Sequence, residues 1–422
     1  MKVFKFGGAS INSDDRFRNT ARIIDSVKED KLMIVISAMG KTTNALETVA
    51  HDFFEGRREA GLDGFEVLKK QHLEVLESLV PSDEEGKQQL QNVFTEIEWL
   101  LHDKPVRTFD YYYDQIVCCG ELLSSLILQR FLHSQKMNCR WVDARDIIRT
   151  DNNFREGLVD WEVTASQISG RIKPLFDTTD IIITQGFIGS TDENESTTLG
   201  REGSDYTAAI FTNLLPAESL TIWKDVDAVM NADPRIFPEA VKLTALSYTE
   251  VIEMAYYGAQ VIHPKTIKPL QNHNIPLFVK SFIDPTLPGS VISHKSMPAL
   301  PPIIVLKEKQ VMMRFSSKDF SFVEDKPVEA LHKIFGEVRM KPNLTQNAAI
   351  SLLCCFDDRP EKTDQLAAAA AEMFDVTLER DLTLLTVRHY DEATLRKMTE
   401  GKTTLLEQRT PETAQMLMRR VS

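Results

Sequence analysis

Thr197-Thr198-Leu199-Gly200-Arg201-Glu202-Gly203-Ser204-Asp205-Tyr206-Thr207-Ala208-Ala209 packs an arginine, two glycines, a serine and an aspartate into a short turn before an apolar helical run. Gly200 and Gly203 permit backbone approaches that a side chain forbids. Ser204 or Asp205 is expected to cap the helix continuing through Phe211 and Leu214. A glycine turn opening a helix presents N–H groups to an anion. Arg201 can grip a carboxylate through two parallel hydrogen bonds and Asp205 can accept from an ammonium, which together describe an amino-acid pocket. Alone, the stretch fits an ordinary capped helix equally well.

The surroundings narrow the choice. A chain of 422 residues exceeds one hydrophobic core and implies two or three domains. With 42% hydrophobic and 26% charged residues it has globular, not disordered, composition. A net charge of −13 excludes a basic nucleic-acid surface. The start lacks a signal-length apolar stretch and no later run reads as bilayer-spanning, so the expected compartment is the cytoplasm, with no membrane partner. The five cysteines show neither zinc spacing nor a disulfide framework.

Lys2–Phe6 reads as a strand that stops at Gly7-Gly8, before a helix opened by Ser13-Asp14-Asp15. A lysine ending a strand beside two glycines suits phosphate, and also fits a tight turn with a solvated lysine. Leu32–Ile36 is a buried strand. Gly40-Lys41-Thr42 invites a P-loop reading, but position 35 is valine where that motif needs glycine. Neither GxGxxG nor a His-Arg-Asp catalytic loop occurs. From Ala45 to Phe131 amphipathic helices are expected, and Glu121 in Cys118-Cys119-Gly120-Glu121 interrupts an apolar one. On its own Glu121 is a structural acid or a cation ligand.

Strands are expected at 141–144, 181–184, 220–223 and 275–280. Charged residues after strand ends, Lys224-Asp225 among them, fit ligand binding at the carboxyl edge of an open α/β sheet. Ser247-Tyr248-Thr249-Glu250 is a capping box for a helix ended by Gly258. Prolines 285, 288, 298, 301 and 302 mark a boundary. Beyond it strands are expected at 303–315, 349–356, 382–387 and 405–408, and helices at 328–335, 363–374, 392–399 and 411–419. These segments suggest two small α+β units side by side.

Taken together, Lys5-Phe6-Gly7-Gly8-Ala9-Ser10, Ser37-Ala38 with Thr43-Asn44, Gly120-Glu121, Gln185 to Gly189, Thr197 to Ala209, Asp225-Val226, Asp233-Pro234-Arg235 and Gly258-Ala259 with His263-Pro264 resemble the aspartate kinases of the amino-acid-kinase superfamily. The strings follow the family's order from residue 2 to about 290. The resemblance implies an α/β fold: a three-layer amino-acid-kinase domain with an open, mostly parallel sheet over 1–290, a Pro-rich linker over 291–302, and two ACT-like, ferredoxin-like α+β units over 303–422. It further implies ATP-dependent phosphorylation of the side-chain carboxylate of L-aspartate, the first step toward lysine, threonine and methionine, with Mg2+ accompanying ATP and no assignable metal ligand. Lys5 and Asp205 would be catalytic. Thr43, Glu121, Arg201, Ser204 and Asp205 would hold aspartate. Lys5, Gly7, Gly8, Lys224, Asp225, Met230, Arg235, Gln260 and Val261 would line the ATP site. A homodimer or larger homo-oligomer and an amino-acid effector at the ACT-like units are also implied.

Departures from the family pattern matter. Lys224 stands where threonine is usual, Glu202 where glycine is, Met230 where tyrosine is frequent, and Gln260 where a lysine is common. Lys224, steered by Asp225, is one candidate to replace the missing charge, and Lys265 is another. Equally, Gln260 can hydrogen-bond the nucleotide while Lys5 suffices. Ser316 to Phe322 replaces the glycine-bearing effector turn of many relatives. A glutamate or acetylglutamate kinase and a non-catalytic amino-acid sensor are the competing readings.

Overall fold

A computed structural model describes residues 1–27, 31–295, 299–319, 321–323 and 325–420. Pro298 and Phe320 lie outside the described residues. The chain divides into two compact units, one of Met1–Val229, Lys242–Ile252 and Gln260–Met297, the other of Met230–Val241, Glu253–Ala259 and Pro298–Ser422. Segments 230–241 and 253–259 thus group with the C-terminal part, although both precede the proline-rich boundary. Its expected first residues, 291–293, are in a strand.

The first unit runs β1 (Lys2–Phe6), α1 (Asp14–Asp25), β2 (Leu32–Ile36), α2 (Thr42–Phe54), α3 (Arg58–Leu79), α4 (Glu84–His102), α5 (Phe109–Val117), α6 (Cys119–Ser134), β3 (Cys139–Trp141), α7 (Trp161–Gln167) and β4 (Ile181–Gln185). It continues through β5 (Ile188–Ser190), β6 (Ser196–Thr198), α8 (Gly203–Leu214), β7 (Ser219–Lys224), β8 (Ala245–Ser247), α9 (Tyr248–Tyr256, whose last turn belongs to the second unit), α10 (Pro264–Asn272), β9 (Leu277–Ser281) and β10 (Ser290–Ser293). Eight strands form one sheet in the order β8-β10-β9-β7-β1-β2-β4-β3. All neighbours are parallel except the antiparallel β9–β10 pair.

Covered on both faces, β2 reads as a continuous apolar run and β4 as one that ends in Thr184-Gln185, whereas Lys2 and Lys5 break the apolar pattern of β1. Phe4, Phe6, Ile34 and Ile36 point into a core built with α1 to α6. The alternate residues, Lys5 included, face the other side, where α8 packs. The Ser247 hydroxyl accepts from the Glu250 N–H at 3.1 Å, as its capping box requires. Strand 139–141 ends earlier than expected because Ala144 enters a tight helical turn.

One expectation needs correction. Phe109–Ser134 is a helical stretch of 26 residues that is long and apolar enough to cross a membrane, whereas no such run was expected. Of its most apolar window, 83% is buried inside the protein, so its hydrophobic surface is already spent on the core of α2 to α6.

The second unit is an antiparallel six-stranded sheet, β11 (Ile303–Ser317), β12 (Leu344–Ala348), β13 (Ser351–Asp357), β14 (Phe374–Arg388), β15 (Lys402–Arg409) and β16 (Thr413–Arg420), in the order β12-β13-β11-β14-β16-β15. Helices α11 (Asp325–Val338), α12 (Pro360–Ala370) and α13 (Glu392–Thr399) complete it. Its two ACT-like halves share one sheet, because the 15-residue strands β11 and β14 run through both. The helix expected over 411–419 is instead strand β16. Ala414, Met416 and Met418 enter one core cluster and Leu417 another, so the segment is buried on alternate faces with a period of two. Its Met, Leu and Arg content favours helix locally, and tertiary pairing with β14 and β15 overrides that preference. Likewise α12 ends at Ala370, and Phe374 opens β14 rather than closing the helix.

Candidate active site

Parallel strands deliver their carboxyl ends to one edge. In register, Phe6 lies between Ile36 and Trp223, with Gln185 beyond Ile36, so the residues after β1, β2, β4 and β7 emerge together. Gly8 follows β1, and a Cβ there would stand 2.6 Å from the Ala38 carbonyl oxygen. Only glycine lets the two turns close. Similarly, a side chain at Gly186 would meet Ser204 Cβ at 2.5 Å, so the β4 turn and the first turn of α8 exclude anything larger.

Two opposite charges are buried at this edge. Lys5 Nζ lies 2.7 Å from Asp205 Oδ1, with side chains 11% and 4% exposed. Lys224 Nζ is 4.0 Å from the other carboxylate oxygen and donates to the Val261 carbonyl at 2.7 Å. Burial pushes the Asp205 carboxyl up, but Lys5 and Lys224 outweigh it and hold the group below the usual carboxylate range. The Lys5 ammonium also sits 3.5 Å from where a Gly7 side chain would begin, placing the cation over the glycine turn.

Glu121 supplies the third charge site. It projects from the first turn of α6, and Oε1 accepts from the Ala38 N–H at 3.1 Å. Oε2 is buried without a partner. Burial raises this carboxyl to about 8, while the Ala38 N–H and the Lys5 charge pull the other way. An orphaned buried acceptor beside a lysine–aspartate pair is a ready receptor for a ligand ammonium.

Other expected residues are less engaged. Thr43 is half-buried in the first turn of α2, and Ser204 is buried in the first turn of α8. The cap of α8 is Glu202, not Ser204 or Asp205, which lie inside the helix. Glu202 adopts a left-handed backbone with φ 54°, and its carboxylate accepts from the His263 N–H at 2.9 Å. That bond offsets the roughly 1 kcal/mol that a non-glycine residue loses there. Arg201 is exposed in the turn and, among the described residues, pairs with no carboxylate. Asp225 and Gln260 are exposed, and Val261 is half-buried. Lys224 is therefore held by Val261 and Asp205, not by Asp225, because Asp225 points to solvent. Met230 and Arg235 belong to the second unit, where the Arg235 guanidinium clasps Asp233 at 2.6 Å.

A buried acid that sequence reasoning passed over is Asp114. Its carboxylate accepts from the Thr198 N–H at 2.9 Å, the Thr198 hydroxyl at 2.7 Å and the Arg155 N–H at 2.9 Å. It thereby ties α5 to the strand that leads into Gly200-Arg201. Burial raises it to about 6 against these three bonds. The available signal was an aspartate inside the apolar Tyr111 to Val117 run, one helical face and two turns before Glu121.

The amino acid kinase family model matches residues 1–281. Lysine-sensitive aspartokinase 3 of Escherichia coli is 33% identical over 316 residues, 75% of this chain and 69% of that protein. Bifunctional aspartokinase/homoserine dehydrogenase 2 of Arabidopsis thaliana is 34% identical over 296 residues, 69% of this chain. The chain spans about a third of the length of that bifunctional relative, 32%. The crystal structure of E. coli aspartokinase III in complex with aspartate and ADP superposes with a TM-score of 0.80 at 26% identity, over 99% of this chain and 96% of that one. The chain belongs to the amino acid kinase family, among its aspartokinases.

Proposed function

We propose that the chain catalyses ATP-dependent phosphorylation of the side-chain carboxylate of L-aspartate, yielding 4-phospho-L-aspartate. The observation that carries this reading is the buried Lys5–Asp205 pair beside the unpartnered Glu121 oxygen at the sheet's carboxyl edge. Similarity to aspartokinases, one of them solved with aspartate and ADP, supports the choice of substrate and nucleotide.

In this mechanism the substrate carboxylate is already a competent nucleophile, so the protein mainly aligns two anions and neutralises charge. Glu121 receives the α-ammonium, and Arg201 closes on the α-carboxylate from its exposed turn. Thr43 and Ser204 add polar contacts. Lys5, held over Gly7 and Gly8 by Asp205, meets the transferred phosphoryl group. Lys224 brings a second ammonium to the same carboxylate and supplies the charge that Gln260 lacks. Asp225, Met230, Arg235, Gln260 and Val261 are assigned to the nucleotide. Among the described residues no group of three or more His, Cys, Asp or Glu side chains is placed to hold a metal ion. Magnesium suits such a site because it keeps most of its waters and arrives on the phosphates. When bound, it neutralises phosphate charge. Cytoplasmic operation and self-association of the second unit complete the reading.

Hydroxylamine trapping tests it. With aspartate and ATP an acyl phosphate converts to the aspartyl hydroxamate. ATP turnover without hydroxamate would overturn the proposal.

A further inference from the structure

A cavity of about 290 Å³ lies wholly within the second unit, between the start of β11, the turn after α11 and the end of β13. Its wall carries four cations, Lys307, Arg339, Lys341 and Arg359, in a chain whose net charge is −13. The single carboxylate there, Asp357, is already committed: it accepts from Gln310 and Asn343, both at 2.9 Å, and Lys307 Nζ stands 4.0 Å away. Lys307 is further fixed by donating to Asn343 Oδ1 at 2.8 Å. The Lys341 ammonium sits 5.3 Å from the centre of the Tyr256 ring, a cation–π arrangement that orients it without neutralising it. Among the described residues Arg339 and Arg359 make no ion pair, Arg359 reaching Asp357 only as a nearby charge, and both are exposed at the cavity.

Four cations converging on a concave wall that holds one carboxylate raise the local concentration of anions. We propose that this cavity is a binding site for a compact multivalent oxyanion of the phosphate class, with Arg339 and Arg359 as its principal contacts. Guanidinium forks match phosphate oxygens in pairs. The volume suits phosphate or pyrophosphate and falls at the lower limit for a larger organic ligand. Arg339 and Lys341 also follow the C-terminus of α11, where a cation complements the helix dipole. That role uses neither Arg359 nor a cavity.

Equilibrium dialysis of the full chain at fixed ionic strength, with radiolabelled inorganic phosphate in one arm and pyrophosphate in the other, tests the site. Excess ADP and aspartate are present to fill the anion sites of the proposed reaction. Should other sites persist, the variants below still isolate the one at issue, independently of the proposed activity. Saturable binding is expected, tighter for pyrophosphate, and weakened about tenfold or more in Arg339→Gln/Arg359→Gln. Lys326→Gln/Lys333→Gln, which removes two cations from α11 away from the cavity, should leave it unchanged. Arg359→Lys should fall between, retaining charge without the fork. Absence of saturable binding, or equal weakening in both double variants, overturns the proposal. Melting curves confirm that each variant is folded.

Discussion

The two units treat charge in opposite ways. The first buries Lys5, Glu121 and Asp205 at the carboxyl edge of a parallel sheet, and Asp114 between α5 and β6. In the second, among the described residues, Arg388 is the one charged side chain in the buried class, and it faces Glu253, Glu412 and Thr413. Burying a carboxylate such as Glu121 with one oxygen unpartnered is costly, and a fold retains it where a ligand completes the bonding. The second unit keeps most of its charges at the surface, so its strands are read by packing alone. Chemistry is therefore concentrated where burial and charge coincide.

Breaking that coincidence should have the largest effect. Lys5→Met is expected to lower kcat by about 10²–10³-fold, because it removes a preorganised cation from the transferred group. It also leaves buried Asp205 with Lys224, 4.0 Å away, as its remaining cation, at a cost below the roughly 3–5 kcal/mol of a fully orphaned buried charge, which a melting curve will show. Near-normal turnover would remove the ion pair from the chemistry. Arg201→Lys is next, with a loss of about 2–4 kcal/mol in kcat/KM, mainly through aspartate, since an ammonium cannot reproduce a bidentate grip. Unchanged aspartate saturation would show that the exposed arginine does not close on substrate.

Asp114→Asn sharpens the comparison by testing a buried acid that touches no ligand. One acceptor oxygen cannot serve three donors, so about 1–3 kcal/mol of stability should be lost. Aspartate KM should rise more than kcat falls, because Thr198 leads directly to the Arg201 turn. Equal changes in both constants would mark a purely structural role.

Glu121 gives a pH signature. With its carboxyl raised to about 8, the empty pocket holds it largely neutral at pH 7, whereas an ammonium requires the ionised form. Aspartate KM should therefore fall as pH rises, by roughly tenfold or more between pH 6.5 and 8.5. Glu121→Gln should flatten the profile. The stability sign is opposite: a carboxyl raised on folding contributes most below its unfolded pKa, and the contribution is lost as pH rises toward 8. Ligand-free protein should thus melt lower at pH 8.5 than at pH 6.5 through this group, and Glu121→Gln should reduce the difference.

The smallest effect is expected from the second unit. Ser316 to Phe322 lacks the glycine turn associated with effector binding in relatives, so lysine and threonine should inhibit weakly. Strong inhibition by either at low concentration in a steady-state assay would contradict this reading.

Legibility in the sequence followed the same division. Leu32–Ile36 and 181–184 were readable because a parallel strand covered on both faces leaves an apolar run, and Lys2–Phe6 because its apolar alternation stops at Gly7-Gly8. Glu121 stood out as a charge interrupting an apolar helix, Lys5 as a lysine beside two glycines, and Asp205 as an acid in a glycine turn before a helix. Asp114 did not, since tyrosines around it hide an acid whose partners, two backbone N–H groups and the Thr198 hydroxyl, lie more than forty residues away. The strand 344–348 was missed because its residues are polar and mostly exposed at a sheet edge. Segment 413–420 carries helix-favouring residues whose strand state depends on pairing with β14 and β15. No local pattern reveals that Val261 would steer Lys224, because a backbone carbonyl leaves no mark in the side-chain sequence.

The most direct measurement is ADP release by the full chain, coupled to a spectroscopic readout, with aspartate, glutamate and acetylglutamate offered separately at equal concentration. A site in which Glu121 receives a free ammonium and Arg201 an α-carboxylate predicts release with aspartate and little with acetylglutamate, whose blocked amine leaves Glu121 unpartnered. Release fastest with acetylglutamate, or none with any acceptor, would contradict the account.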